Sequence, residues 1–202
     1  MTDLVDDDLA DAPVDRQVRA LERILSGSPR VEAILAAAPA LGLPDWYLGA
    51  GAVTGTVWNR AHGFAPDHGI KDNDLVYFDR DDLTRETEQE VERRAGRLLA
   101  RTGVHLDVTN EARVHQWYEE RFGPALDPYR STGHAISTWP TTASSIGVRR
   151  EAGTFSVCAP FGLRDLFALV VRPNRTLTTR AVYEAKSTRW QAAWPRLTVL
   201  PW

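Results

Sequence analysis

The stretch from Lys71 to Asp79 constrains this chain more than any other. Leu75-Val76-Tyr77-Phe78 is a short apolar run suited to the inside of a sheet, and Asp72-Asn73-Asp74 leads straight into it. Side-chain direction in a strand repeats every second residue, so Asp72 and Asp74 project to one face while the run behind them anchors the strand. Two carboxylates held side by side repel each other. A shared proton or a cation relieves that repulsion, and hard divalent ions such as Mg²⁺ favour oxygen ligands of this kind. Downstream, Val104, Leu106 and Val108 alternate with His105 and Asp107, the period of a half-buried strand. That alternation would bring Asp107 to the pair from a neighbouring strand. The competing role for all three acids is structural, solvating a sheet edge or capping nearby helices.

Upstream, Leu43-Pro44-Asp45-Trp46-Tyr47-Leu48 runs into Gly49-Ala50-Gly51-Ala52 and then an apolar, helix-like segment from Val53 to His62. Glycines at such a junction let backbone N–H groups approach an anion closely, and the following helix N-terminus favours phosphate. Either glycine can equally serve the turn alone.

A glycine-rich turn, a D-x-D strand end and a third strand carboxylate, in that order, resemble the DNA polymerase beta-like nucleotidyltransferase superfamily. The wider text is similar to a bacterial nucleotidyltransferase-like family long filed as a domain of unknown function. The stretches that carry the likeness are Ala50-Gly51 with Val57-Trp58, Asp72-x-Asp74-x-x-Tyr77-Phe78-Asp79, Asn110-x-Ala112-Arg113-x-His115, Trp139-Pro140-x-Thr142-Ala143, Phe161-Gly162-Leu163-x-Asp165-Leu166-Phe167 and Trp190-x-x-x-Trp194-Pro195-x-Leu197. They span roughly Trp46 to Leu197.

The resemblance implies an α+β nucleotidyltransferase fold, with a small mixed β-sheet flanked by helices. It implies transfer of a nucleoside monophosphate from a nucleoside triphosphate to an unidentified acceptor, with Mg²⁺ or Mn²⁺ held by Asp72, Asp74 and Asp107. In that scheme Asp107 holds a second metal or acts as a base. Gly49 and Gly51 would lie against the phosphates. Family members usually read Arg-Asn after the glycine turn, where this chain has Thr54-Gly55, and an aliphatic residue between the two acids, where it has Asn73. The missing arginine calls for another cation, and Arg60, Lys71 and Arg113 are placed for it by position. Arg113 and His115 would reach a substrate or else occupy an ordinary helix surface. Two other readings stay open: a non-catalytic relative that binds a nucleotide or a protein partner, and a metal-dependent phosphodiesterase.

Read in order, residues 1–13 are acidic with little to bury and predict a disordered leader. Residues 14–202 form a single domain, whose first part, 14–40, makes a helical cap. Gly63 to Lys71 is a loop, mobile enough to swing beside the acids. A charged helix near Thr84 to Thr102 buries a stripe of Val91, Ala95, Leu98 and Leu99. Asn110 caps the next helix. A hairpin turns around Glu151-Ala152-Gly153, and the final helix from Arg180 to Trp194 turns Trp190 and Trp194 to the core.

The formal net charge of −3 spreads no basic field over the surface, which argues against long nucleic acid as a partner. No apolar run approaches the ~20 residues that span a bilayer, and the acidic N-terminus is unlike a signal peptide, so no membrane partner and a cytoplasmic location are expected. The single cysteine, Cys158, removes disulfides and reads as a buried strand thiol. His62, His68, His105 and His134 lack zinc-ligand spacing and are assigned no ligand role.

Overall fold

The structure is a computed structural model that describes residues 8–202. Its centre is a five-stranded mixed sheet in the order β3-β2-β1-β4-β5. The strands are β1 (Tyr47–Gly49), β2 (Asp74–Tyr77), β3 (Asp107–Asn110), β4 (Gly147–Glu151) and β5 (Thr154–Cys158). β2 runs antiparallel to β1 and parallel to β3, and β4 and β5 close a hairpin on the far side. The hairpin turn takes positive φ at both Ala152 and Gly153, which matches the twist of the strands it joins.

Leu48, Leu75, Tyr77, Val108 and Val148 turn to one face of the sheet, where helices bury them in a single apolar core. Helix α1 (Val14–Ser26) contributes Ala20, Leu21, Ile24 and Leu25; α2 (Pro29–Ala37) contributes Val31, Ile34 and Leu35. The charged helix α4 (Arg85–Leu99) lays Val91, Ala95 and Leu99 onto the same core, while Leu98 stays exposed. Helix α3 (Ala50–His62) follows β1 directly and carries Trp58, whose ring meets Trp190 and Trp194 edge-on at centroid distances of 5.1 and 5.3 Å. Edge-to-face packing of this kind adds to the large area each indole buries.

The opposite face carries the side chains of the other parity. Register places Asp107, Asp74, Gly49 and Gly147 side by side across four strands. Helix α5 (His115–Phe122) and α8 (Arg180–Ala193) come to this side, each from a different part of the chain, and α6 (Thr132–Ile136) packs Ala135 against Val114 and Tyr129. Helix α7 (Arg164–Phe167) and the two-stranded parallel pair β6 (Val170–Val171) and β7 (Thr198–Val199) complete the chain.

Of the leader expected over residues 1–13, residues 1–7 lie outside the described residues. Residues 8–13 depart from the expectation: Leu9 is buried, the Gln17 amide donates to the Leu9 and Ala10 carbonyls, and Arg164 pairs with Asp11 at 2.8 Å. One apolar side chain and one glutamine are enough to dock this turn. The Gly63–Lys71 loop is likewise tied down. The Asn59 amide donates to the Pro66 and His68 carbonyls, both at 2.9 Å, and Gly69 abuts the Trp194 ring. Cys158 is half-buried on β5, and burial pushes its thiol up.

Candidate functional site

Strand pairing in β2 begins at Asp74 because Asn73 is committed elsewhere. Its side chain is buried, its Nδ2 donates to the His105 carbonyl at 2.8 Å, and its own carbonyl accepts from the Asp107 N–H at 3.0 Å. These bonds lock the start of β2 to β3 and set Asp74 opposite Asp107. Asp72 and Asp74 line one wall of a trough of about 400 Å³ on the open face of the sheet. Its apolar walls come from Trp117, Tyr118, Tyr129, Trp139 and Val182. Burial raises the Asp74 carboxyl to about 6; the charges of Asp107 and Asp72 push the same way, and Lys186 opposes them.

Asp107 pairs in register with Asp74 but does not line the trough: on the edge strand its side chain is half exposed and lies 3.6 Å from the His105 ring. Glu92 reaches the same ring from α4, so Glu92, His105 and Asp107 bring ligand atoms within 4.8 Å of one another. His105 precedes β3, and α4 brings Glu92 to it, a cluster of three groups that no sequence spacing announces.

The glycine turn meets the acids from α3. Gly51 packs against the Asp72 backbone carbonyl, where an added Cβ would make ordinary contact at 3.5 Å. No side chain caps the N-terminus of α3, so its first N–H groups keep their capacity to bind an anion. Beside it a small cavity of about 50 Å³ is lined by Gly51, Thr54, Lys71, Asp72, Lys186 and Arg189, among others. Gly49 has a different occupation. A Cβ there would fall 2.4 Å from Cη2 of Trp139 and 3.1 Å from the Ile146 carbonyl, so its missing side chain makes room for an indole. Gly49→Ala is expected to cost about 1–3 kcal/mol through overpacking, read as a lower midpoint in urea denaturation with an unchanged slope.

Arg113 is not brought to the trough. Its guanidinium donates to Glu88 at 2.5 Å and to the Leu83 carbonyl at 3.3 Å, in a neighbouring cavity shared with Arg85 and Arg121. The partner on α4 is what the one-dimensional reading lacked. Arg60 sits at the far end of α3 from the acids, exposed, and His115 is half-buried with an unpartnered Nδ1.

Two cations that the sequence reading passed over do reach the acids. Lys186 lines both the trough and the small cavity, and Arg189 lines the latter. Lys186 is half-buried with its Nζ 4.9 Å from the Trp190 ring centroid. Burial lowers its pKa, while the charges of Asp74 and Asp72 support the cation. The available signal was its spacing: Lys186 stands four residues before Trp190, on the helix stripe that faces inward. The positions after the glycine turn carry small side chains packed at the edge of that small cavity. Thr54 donates to the Ala143 carbonyl at 3.3 Å, and a Cβ on Gly55 would strike Ile70 at 2.7 Å.

A five-stranded mixed sheet with helices packed on it and an acid pair at the mouth of a strand beside a glycine turn defines a protein of the nucleotidyltransferase fold. The comparisons agree. Residues 36–199 match a family described as nucleotidyltransferase, and the chain belongs to that family. A solved structure described with the words that the NMR structure "reveals a CCA-adding enzyme head domain" superposes with a TM-score of 0.73 at 25% identity, covering 91% of this chain and 96% of that one. No curated protein matches the chain. Among the described residues, no helix is long and apolar enough to cross a membrane.

Proposed function

We propose that the chain is a cytoplasmic enzyme that transfers a nucleoside monophosphate from a nucleoside triphosphate to an acceptor, using Mg²⁺ or Mn²⁺ held by Asp72, Asp74 and Asp107. The observation that carries this reading is the meeting of Asp72 and Asp74 with an uncapped helix N-terminus and the cations of Lys71, Lys186 and Arg189. The donor set of Asp72 and Asp74 fits a hard divalent ion: the oxygens are carboxylates lining one wall of the trough, and burial with the charges of Asp107 and Asp72 holds the Asp74 carboxyl high, a cost that a cation would relieve. Bound there, the ion supplies charge neutralisation on the triphosphate and stabilises the attacking and leaving oxygens.

The chain's own groups do the remainder. The α3 N-terminus at Gly51 and the side chains of Lys71, Lys186 and Arg189 receive the β- and γ-phosphates and neutralise the leaving pyrophosphate. Asp72 and Asp74 set the α-phosphate at the mouth of the trough. A bond then forms from the acceptor oxygen to the α-phosphorus, the bond to the pyrophosphate oxygen breaks, and the acceptor's proton passes to the neighbouring carboxylate of Asp107, paired in register with Asp74. Lys186 takes the phosphate contact that the absent family arginine leaves open. Lys186→Ala is expected to weaken triphosphate binding roughly 10- to 100-fold, the scale of one or two charge-assisted hydrogen bonds, as read by titration calorimetry.

The test is calorimetric titration of each nucleoside triphosphate with Mg²⁺, paired with an assay for released pyrophosphate. Binding that needs the metal, with pyrophosphate released when an acceptor is supplied, supports the transferase. The Thr54-Gly55 departure favours a second reading, a nucleotide-binding relative without turnover. That reading predicts the same binding with no pyrophosphate release under any acceptor.

A further inference from the structure

The cluster of Glu92, His105 and Asp107 enters the transfer chemistry above only through Asp107. Nε2 of the imidazole stands 3.6 Å from the Asp107 carboxylate and 4.0 Å from that of Glu92, and the three ligand atoms all lie within 4.8 Å of one another. These spacings are too long for hydrogen bonds, and among the described residues the His105 ring makes none. They come close to a different requirement. A tetrahedral zinc ion holds N and O ligands at about 2.0–2.2 Å and so sets them roughly 3.3–3.6 Å apart, which side-chain shifts on the order of 1 Å would reach here. The backbone beneath two of the ligands is already fixed. The Asn73 side chain donates to the His105 carbonyl at 2.8 Å, and the Asp107 N–H donates to the Asn73 carbonyl at 3.0 Å. Glu92 comes from α4, which packs on β3. All three side chains are accessible to solvent, so an ion can enter and keep water in its remaining position.

We infer that Glu92, His105 and Asp107 form a site for a divalent transition metal of the zinc class, apart from the acid pair Asp72 and Asp74, and that its occupation restrains transfer by engaging Asp107. The ligand set decides the class of ion. An imidazole nitrogen suits Zn²⁺ and its neighbours in the first transition row, whereas Mg²⁺ keeps to oxygen ligands and holds on to its waters. A cluster of carboxylates alone would not make that distinction. The site also lies outside the trough: neither Glu92 nor His105 lines it, so an ion bound between them leaves the triphosphate's place open. Binding of the ion stands independently of the transferase reading. The restraint rests on that reading, in which Asp107 receives the acceptor's proton; a metal ion on the carboxylate occupies the electron pair that the proton needs.

The experiment titrates Zn²⁺ by calorimetry into the full chain held in excess Mg²⁺, with Co²⁺ in parallel because its visible absorption reports tetrahedral ligation. One equivalent of Zn²⁺ is expected to bind, and to bind equally well to the chain carrying Asp72→Ala and Asp74→Ala. His105→Gln and Glu92→Gln are each expected to weaken binding at least about 10-fold, since losses on that scale follow even from removing groups that merely orient a metal ligand; thermal melts report that both variants remain folded. In the pyrophosphate assay Zn²⁺ is expected to lower wild-type transfer to the level of Asp107→Ala and no further, and to leave His105→Gln at its rate without Zn²⁺. Absence of Zn²⁺ binding in excess Mg²⁺, or binding unchanged in both His105→Gln and Glu92→Gln, overturns the site. Binding that survives in His105→Gln and vanishes with Asp72 and Asp74 assigns the ion to the acid pair and overturns it equally. If Zn²⁺ binds as expected while transfer continues undiminished, the restraint alone fails. If the chain transfers nothing, the transferase reading fails and the restraint with it, while the titrations still decide the site.

Discussion

Replacing both Asp72 and Asp74 with alanine is expected to abolish Mg²⁺-dependent triphosphate binding and to lower transfer by at least about 10³-fold, the loss typical when the groups that stabilise developing charge are removed. The two side chains stand on one wall of the trough, one exposed and one half-buried, so no other carboxylate pair replaces them at that point. The variant is also expected to fold. Taking away two like charges relieves their repulsion, which offsets the loss of the countercharge they give the half-buried Lys186, and among the described residues neither acid makes a salt bridge that the substitution would break. Calorimetry and pyrophosphate release read the effect directly. Retained metal-dependent binding in the double variant would move the site away from these acids. Asp107→Ala is expected to act more weakly, because its side chain is half exposed outside the lining of the trough, beside His105 and Glu92.

The second large effect is on stability. The Glu111 carboxyl goes from the ordinary 4.5 to about 8 on folding, through burial first and the charges of Asp74 and Glu88 after it. The folded state therefore holds its proton where the unfolded state has lost it. Stability is full below about 4.5 and is lost as pH rises towards 8, as the linkage relation requires. The loss is on the order of 2–4 kcal/mol, below the ~1.4 kcal/mol per unit limit summed over the whole shift because partial relaxation screens a buried charge. Asp74 contributes in the same direction, but its window closes near 6. Chemical denaturation of wild type between pH 6 and 8 is thus expected to slope downward, and Glu111→Gln to flatten that slope and be the more stable protein at pH 8. A wild-type curve that is flat over this range would show that the carboxyl finds a partner in solution.

Several features could be read along the chain because they depend on neighbours in sequence. The run after Asp74 became a strand, and the alternation from Val104 to Val108 marked one whose pairing begins only at Asp107, since period two and apolar content are local properties while the pairing partner is not. Asn110 was legible as a cap, and its side chain accepts from the Ala112 N–H at 3.1 Å. The tryptophans of the last helix read as a core stripe and pack on Trp58. Gly49 was visible as a special residue but not in its occupation, because the Trp139 ring it accommodates comes from ninety positions further on.

The strand after Asp74 and the order of glycine turn, D-x-D and third carboxylate were determined by the sequence itself, while Asp72 lies before the strand and reaches the same trough wall through the turn that leads into it. The tertiary structure alone decided which charges those acids meet. Lys186 and Arg189 arrive on a helix more than a hundred residues away, Arg113 is drawn off by Glu88 on another helix, and Glu111 is left without donors by the walls that close around it. Burial and Coulomb interaction depend on distance in space and on exclusion of water, and neither is a function of position along the chain.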